Sequence, residues 1–153
     1  MLILNITKKN GLDMSGMKEY KEFVKLLADE SGKIIREYFR SDLDIDVKKD
    51  KSPVTIADKK AEEKLRSLIS KTYPEHGIIG EEFGNENEDA EYKWILDPID
   101  GTKSFICGAV TFGTLIGLLK NGEPILGAFN QPVLNEFLIG DNLTAEINGK
   151  KTS

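Results

Sequence analysis

From Val110 to Ile147 the chain has little choice but to form an antiparallel sheet. Val110 to Leu119 is rich in apolar and β-branched residues, and Asn121-Gly122 follows at once. An Asn-Gly pair between two such runs is a hairpin signal, because both residues tolerate the positive φ of a tight two-residue turn. Pro124 to Phe129 reads as the returning strand and Asn135 to Ile139 as another, and Asn142 to Ile147 leads into a second turn at Asn148-Gly149. Short connections of this kind make a meander, and no internal repeat interrupts it.

The first half of the chain is helical instead. Tyr20, Phe23, Val24, Leu27, Ala28, Ile34, Ile35 and Tyr38 recur at three- and four-residue steps, which predicts a core-facing helix from Met17 to about Arg40. Residues 1–16 read as an N-terminal extension and 17–153 as one domain. Leu43, Ile45 and Val47 alternate through the polar stretch from Ser41 to Ser52, as a short edge strand or extended loop would. After Val54-Thr55-Ile56-Ala57-Asp58 a second helix is expected to run to about Thr72, buried through Ala61, Leu65, Leu68 and Ile69. Thr55 and Asp58 have the spacing of a capping box at its start. Helices followed by a mainly antiparallel sheet define an α+β fold.

Charge narrows the function. The net charge of −5 comes from 26 acidic and 21 basic side chains, which argues against a nucleic-acid polymer as partner. It does not argue against a phosphorylated small molecule, since bound divalent cations invert the local charge. One cysteine, Cys107, allows no intrachain disulfide and suits a reducing, cytoplasmic setting. No stretch approaches transmembrane length, so no membrane partner is expected. His76, the one histidine, sits in the turn Tyr73-Pro74-Glu75-His76-Gly77 and is expected to face solvent without chemistry. Gly84 to Glu91 reads as a solvated acidic loop.

The chemistry concentrates in Trp94-Ile95-Leu96-Asp97-Pro98-Ile99-Asp100-Gly101-Thr102-Lys103-Ser104-Phe105. Trp94 to Leu96 reads as a buried strand that stops at Asp97, because Pro98 has no N–H for a ladder. Asp100 comes three residues later, and Gly101-Thr102 opens a helix or tight turn. Carboxylates at a strand end supply hard oxygen ligands, and the free N–H groups and dipole of a helix start favour an anion. Aspartates near a turn also serve merely to satisfy backbone N–H groups, and that reading stays open on spacing alone. Upstream, Ile78-Ile79 is a short strand ended by Gly80-Glu81-Glu82-Phe83, where side-chain alternation lets one glutamate of the pair face the site. If Glu81, Asp97 and Asp100 converge, they repel. Two carboxylates ~5 Å apart at an effective dielectric of ~20 cost on the order of 3 kcal/mol. Such a group must take up protons or cations, and an all-oxygen set without His or Cys favours Mg2+ over Zn2+.

Together, Val54-Thr55-Ile56-Ala57-Asp58, Gly80-Glu81-Glu82 and Trp94 to Thr102 resemble the inositol monophosphatase superfamily, Mg2+-dependent and often lithium-sensitive phosphatases. The resemblance implies a layered α-β-α-β-α fold. It implies that Glu81, Asp97, the Ile99 carbonyl and Asp100 ligate metal, and that Gly101 and Thr102 bind phosphate. Thr102, oriented by Asp58 and working with Glu81, would position and activate the attacking water, with Glu82 behind them. Asp97, Ile99 and Asp100 would also meet the substrate through the metals, beside Lys103 and Ser104. Gly101 to Ile106, Phe112 to Gly117 and Gly127 to Glu136 are similar to histidinol-phosphate phosphatases of this type; the inositol enzymes would carry Thr-Asn in place of Lys103-Ser104. Lys103 either flanks the substrate mouth or is a solvated helix lysine. Histidinol phosphate is therefore the expected substrate, with inositol or nucleotide-type phosphates as rivals.

The sequence ends at Ser153, before the Trp-Asp-x-Ala-type motif that the resemblance places later, and Asp141, in a strand-turn context, does not match it. Two readings follow. The chain is the N-terminal part of a phosphomonoesterase with its C-terminal layer missing, or a non-catalytic remnant that binds metal or a partner. Without that layer an apolar sheet face is expected to be uncovered, favouring self-association, and the resemblance implies a homodimer.

Overall fold

The computed structural model describes residues 14–41, 45–47 and 53–152. Thirteen residues of the expected N-terminal extension, and Leu43 of the expected edge strand, lie outside the described residues. Helix α1 (Met14–Tyr38) begins three residues before the expected start. Strand β1 (Ile45–Val47) pairs antiparallel with β2 (Pro53–Thr55), which runs directly into α2 (Ile56–Thr72). The capping box forms there as its spacing predicts, with the Thr55 side chain and the Asp58 side chain each serving the other's backbone.

The remaining strands are β3 (Gly77–Gly80), β4 (Gly84–Glu86), β5 (Tyr92–Asp100), β6 (Gly113–Lys120), β7 (Glu123–Gln131), β8 (Glu136–Asp141), β9 (Ala145–Ile147) and β10 (Lys150–Lys151). Helix α3 (Thr102–Ile106) lies between β5 and β6. They form one sheet in the order β10-β9-β8-β7-β6-β5-β3-β4. Every pairing is antiparallel except β3 with β5. Both expected Asn-Gly turns have left-handed backbone, with φ of 51° and 85° at Asn121-Gly122 and 49° and 75° at Asn148-Gly149.

One face of the sheet is the core. Trp94 and Leu96 of β5 and Ile116 and Leu118 of β6 pack with Phe23, Val24 and Leu27 of α1 and Leu65 and Ile69 of α2. A second cluster gathers Ile35, Ala57, Ala61, Ile99, Phe105 and Phe112, and it anchors α3 through the fully buried Phe105. The opposite face carries Ile95, Leu115, Leu138 and Ile147, each exposed, around a shallow groove of about 600 Å³.

Three expectations are corrected. First, β5 does not stop at Asp97; it runs through Pro98 to Asp100, because a bulge at Pro98-Ile99 absorbs the missing N–H. Second, the stretch after Gly84 is not all loop, since β4 adds to the sheet edge beside β3. Third, His76 is not out in solvent. Its ring stacks on Tyr73 at 4.7 Å and on Tyr92 at 4.9 Å between centroids. Its Nδ1 accepts from Trp94 Nε1 at 3.1 Å, and burial holds its pKa below the ordinary histidine value.

Candidate active site

The parallel pairing of β3 and β5 brings the acids together. Strands that run the same way end at the same edge of a sheet, and residues in register point to the same face. Ile78 lies beside Trp94 and Gly80 beside Leu96, and the Glu81 N–H extends the ladder by donating to Leu96 O at 3.2 Å. Glu81 thereby comes alongside Asp97, on the face away from α1 and α2.

Asp100 reaches that face because of the bulge. Asp97 pairs with Leu115 and Asp100 with Gly113, so Pro98 and Ile99 together oppose the single residue Thr114. Strict alternation would have put Asp97 and Asp100 on opposite sides. The extra residue returns Asp100 to the side of Asp97, while Pro98 and Ile99 are buried toward the core. Thr114, itself buried, secures the bulge by donating Oγ1 to Pro98 O at 2.8 Å.

The Asp97 carboxyl registers this crowding. Burial, then a hydrogen bond shared with Glu81 and the charge of Glu81, with Asp100 and Asp58 beyond, push its pKa up to about 8. Its Oδ1 is buried with no hydrogen-bond partner, which is costly for a carboxylate unless a cation takes the lone pairs. An orphaned carboxylate oxygen in an all-oxygen donor set fits a hard divalent cation. Among the described residues no three His, Cys, Asp or Glu side chains draw together as a ready-made cluster, so the convergence is that of Glu81 and Asp97, with Asp100 beyond the bulge.

Asp58 links this edge to α2. Its Oδ2 accepts from the Thr55 N–H at 2.8 Å and Thr55 Oγ1 at 2.5 Å, which caps the helix. Its Oδ1 lies 3.4 Å from Thr102 Oγ1. The same hydroxyl lies 3.1 Å from Ile99 O, and one proton cannot serve both acceptors at once. Gly101 is needed where it stands: its φ is +92°, and a Cβ there would lie 2.9 Å from Thr111 O. With five residues, α3 is too short for a substantial dipole, so the attraction expected there reduces to individual N–H groups near its start. Lys103 is exposed on that helix, and Ser104 Oγ accepts from Thr111 Oγ1 at 3.1 Å.

Sequence reasoning passed over Glu62 and Arg66. Both are buried on α2 and fasten the segment that follows β3. Glu62 Oε2 accepts from the Glu82 N–H at 2.7 Å, and Oε1 accepts from the Phe83 N–H at 3.2 Å and from Arg66 Nε at 2.8 Å. Arg66 Nη1 donates to Glu86 at 2.7 Å and Nη2 to Gly84 O. The available signal was spacing. Glu62 and Arg66 fall on the same helical stripe as Ala61, Leu65 and Ile69, where a charge must be paired.

Residues 17–153 match the inositol monophosphatase family. The chain is 55% identical over 130 residues to the bifunctional phosphatase IMPL2, chloroplastic, of Arabidopsis thaliana, covering 83% of this chain and 38% of that protein. It is 44% identical over 111 residues to the histidinol-phosphatase of Chlorobaculum parvum, covering 72% of this chain and 43% of that one. The fold matches a solved inositol monophosphatase from Zymomonas mobilis with a TM-score of 0.74 at 44% identity, over 88% of this chain and 52% of that chain. The chain thus spans about half or less of the length of these relatives. A match that runs from the first helix through the last hairpin, together with that likeness of fold, means that this chain belongs to the inositol monophosphatase family.

Proposed function

We propose that the chain carries the metal-binding half of a Mg2+-dependent phosphomonoesterase that hydrolyses a small phosphate ester. The observation that carries this reading is the Glu81–Asp97 pair, with its raised pKa and orphaned Oδ1. Glu81, Asp97, Asp100 and the Ile99 carbonyl are the proposed ligands. Bound there, Mg2+ would supply neutralisation of the phosphate oxygens and acidification of water.

The chain's own groups do the rest. With the Ile99 carbonyl given over to the metal, the Thr102 hydroxyl would donate to Asp58 Oδ1 instead, which turns its lone pairs toward an incoming water. Glu81 accepts the proton of that water. Gly101 lets the backbone approach the phosphate closely, and the N–H groups of Thr102 and its neighbours meet the phosphate oxygens. Catalysis of this kind rests on positioning and electrostatics, without a covalent phosphoenzyme.

Histidinol phosphate is the proposed substrate. Support comes from the run Gly101 to Ile106 and from the identity with the Chlorobaculum parvum histidinol-phosphatase. Inositol phosphate is the second reading, supported by the likeness to the Zymomonas mobilis enzyme. The protein is proposed to act in the cytoplasm as a homodimer. The test pairs the intact mass with Mg2+-dependent phosphate release from histidinol phosphate and inositol phosphate, with and without lithium. Release that lithium suppresses and Asp97→Asn abolishes is the expected result. Release that survives Asp97→Asn would refute the assignment of the site. No release from a chain of the full 153-residue mass would leave only the family assignment standing.

A further inference from the structure

We infer that the buried Glu62–Arg66 pair is a positioning device for the metal site: it fixes the backbone just after Glu81 and so sets where that carboxylate stands against Asp97. The inference rests on the reading of Glu81 as a metal ligand.

Helix α2 carries the device. Asp58, Glu62 and Arg66 follow one another at four-residue steps, so they form one row along one side of the helix. Each holds a different piece of the sheet edge. Asp58 reaches Thr102 at the start of α3. Glu62 takes the N–H groups of Glu82 and Phe83. Arg66 takes Gly84 O and the Glu86 carboxylate on β4. A single rigid helix therefore fixes the spacing between the Thr102 hydroxyl and the Glu81 segment.

The pair is built for this and is costly otherwise. Glu62 is fully buried and Arg66 nearly so, and breaking a buried pair leaves an uncompensated charge. Gly80 makes room for it, since a Cβ there would overlap Glu62 Oε1 and Arg66 Nη2. Strand β3 ends at Gly80, the Glu81 N–H bond to Leu96 O carries the ladder one residue further, and Glu62 takes over at the next two amides. A glutamate has three rotatable side-chain bonds, so holding its carboxylate near Asp97 requires at least that its backbone be fixed. Partners that orient a ligand from behind typically change metal affinity by about 10- to 100-fold when removed.

The test measures Mn2+ binding to the 153-residue chain by electron paramagnetic resonance, with Mn2+ as probe, alongside amide hydrogen exchange at Glu82 and Phe83. Glu62→Gln keeps size and one acceptor but turns an NH2 toward a backbone N–H. We expect Mn2+ affinity to fall about 10- to 100-fold and the two amides to exchange faster. Asp141→Asn, which loosens the Lys21 ion pair far from the site, serves as a control for general destabilisation and is expected to leave Mn2+ affinity within about twofold. A folded Glu62→Gln chain with Mn2+ affinity within about twofold of the parent overturns the inference. If Glu62→Gln does not fold, Arg66→Lys takes its place, which keeps the charge but loses the fork to Gly84 and Glu86; unchanged affinity there overturns the inference equally. A parent chain that binds no Mn2+ overturns the metal-site reading itself, and this inference falls with it.

Discussion

Replacing Asp97 by asparagine is expected to make the metal-free protein more stable while removing its response to Mg2+. At pH 7 the native Asp97 carboxyl, with a pKa of about 8 against 3.8 in its ordinary state, is held mainly as the acid. Folding must therefore take up a proton that the unfolded chain has already released. The full shift sets a ceiling of about 4 kcal/mol on that cost at pH 7. The carboxyl is half-buried and the proton belongs to the Glu81–Asp97 pair, so solvent screening and sharing bring the cost to about 1–2 kcal/mol. Asparagine carries no charge and can donate Nδ2 to Glu81. For a domain of this size the gain is about 2–8 °C in Tm. Because the native pKa is raised, the parent's stability relative to Asp97→Asn is greatest below about pH 4 and declines as pH rises toward about 8. Thermal unfolding of both proteins from pH 4 to 8, with and without Mg2+, reads all of this. Mg2+ should raise the Tm of the parent and not that of the variant. A metal-free Asp97→Asn protein that melts no higher than the parent at pH 7, or a parent–variant difference flat with pH, would refute the crowded-carboxylate account.

Three further outcomes follow from the same geometry. His76 is held neutral by burial and by the Trp94 hydrogen bond, so stability should be full above the ordinary histidine pKa and decline as pH falls through it. His76→Phe should remove that decline while costing about 1–3 kcal/mol for the unpaired Trp94 N–H, read by urea unfolding at pH 7.5 and 5.5. Gly101→Ala should lower the urea midpoint by the equivalent of about 1–3 kcal/mol, through its φ of +92° and the Thr111 carbonyl at 2.9 Å, and a midpoint equal to the parent's would contradict the left-handed turn. Thr114→Val should cost about 1–3 kcal/mol by leaving Pro98 O without its buried donor. It should also weaken Mg2+ binding, measured by calorimetry, because the bulge that turns Asp100 toward Asp97 loses its fastening.

Features written in consecutive residues were legible in the sequence. The Thr55–Asp58 box and the two Asn-Gly turns have the conformations their spacing predicts, since their hydrogen bonds and dihedrals are settled within a few residues. The α+β class and the mainly antiparallel sheet follow from the same local patterns. What was hidden depends on neighbours distant in sequence. Pro98 reads locally as a strand end, and only the register against Thr114 makes it part of a bulge. His76 reads as a loop histidine until Tyr73, Tyr92 and Trp94 close around it. The spacing of Glu62 and Arg66 on the buried stripe of α2 signals that they are paired, but nothing local reveals that the Glu82 and Phe83 amides will be the partners. The approach of Glu81 to Asp97 comes from one parallel pairing within an otherwise antiparallel sheet, and that pairing has no mark in either segment alone.

That parallel pairing works as a ruler. Adjacent strands lie about 4.8 Å apart whatever their sequence, so the separation at the Gly80–Leu96 pair, from which Glu81 and Asp97 both continue, is set by sheet geometry and not by loop length. From that fixed spacing, shortening Glu81 to aspartate draws its carboxylate back by one methylene, while residue 97 already carries the shorter acid. Ionic radius would then be sorted by a coarse, stepwise dial, and Glu81→Asp is the setting that tilts the preference toward larger cations.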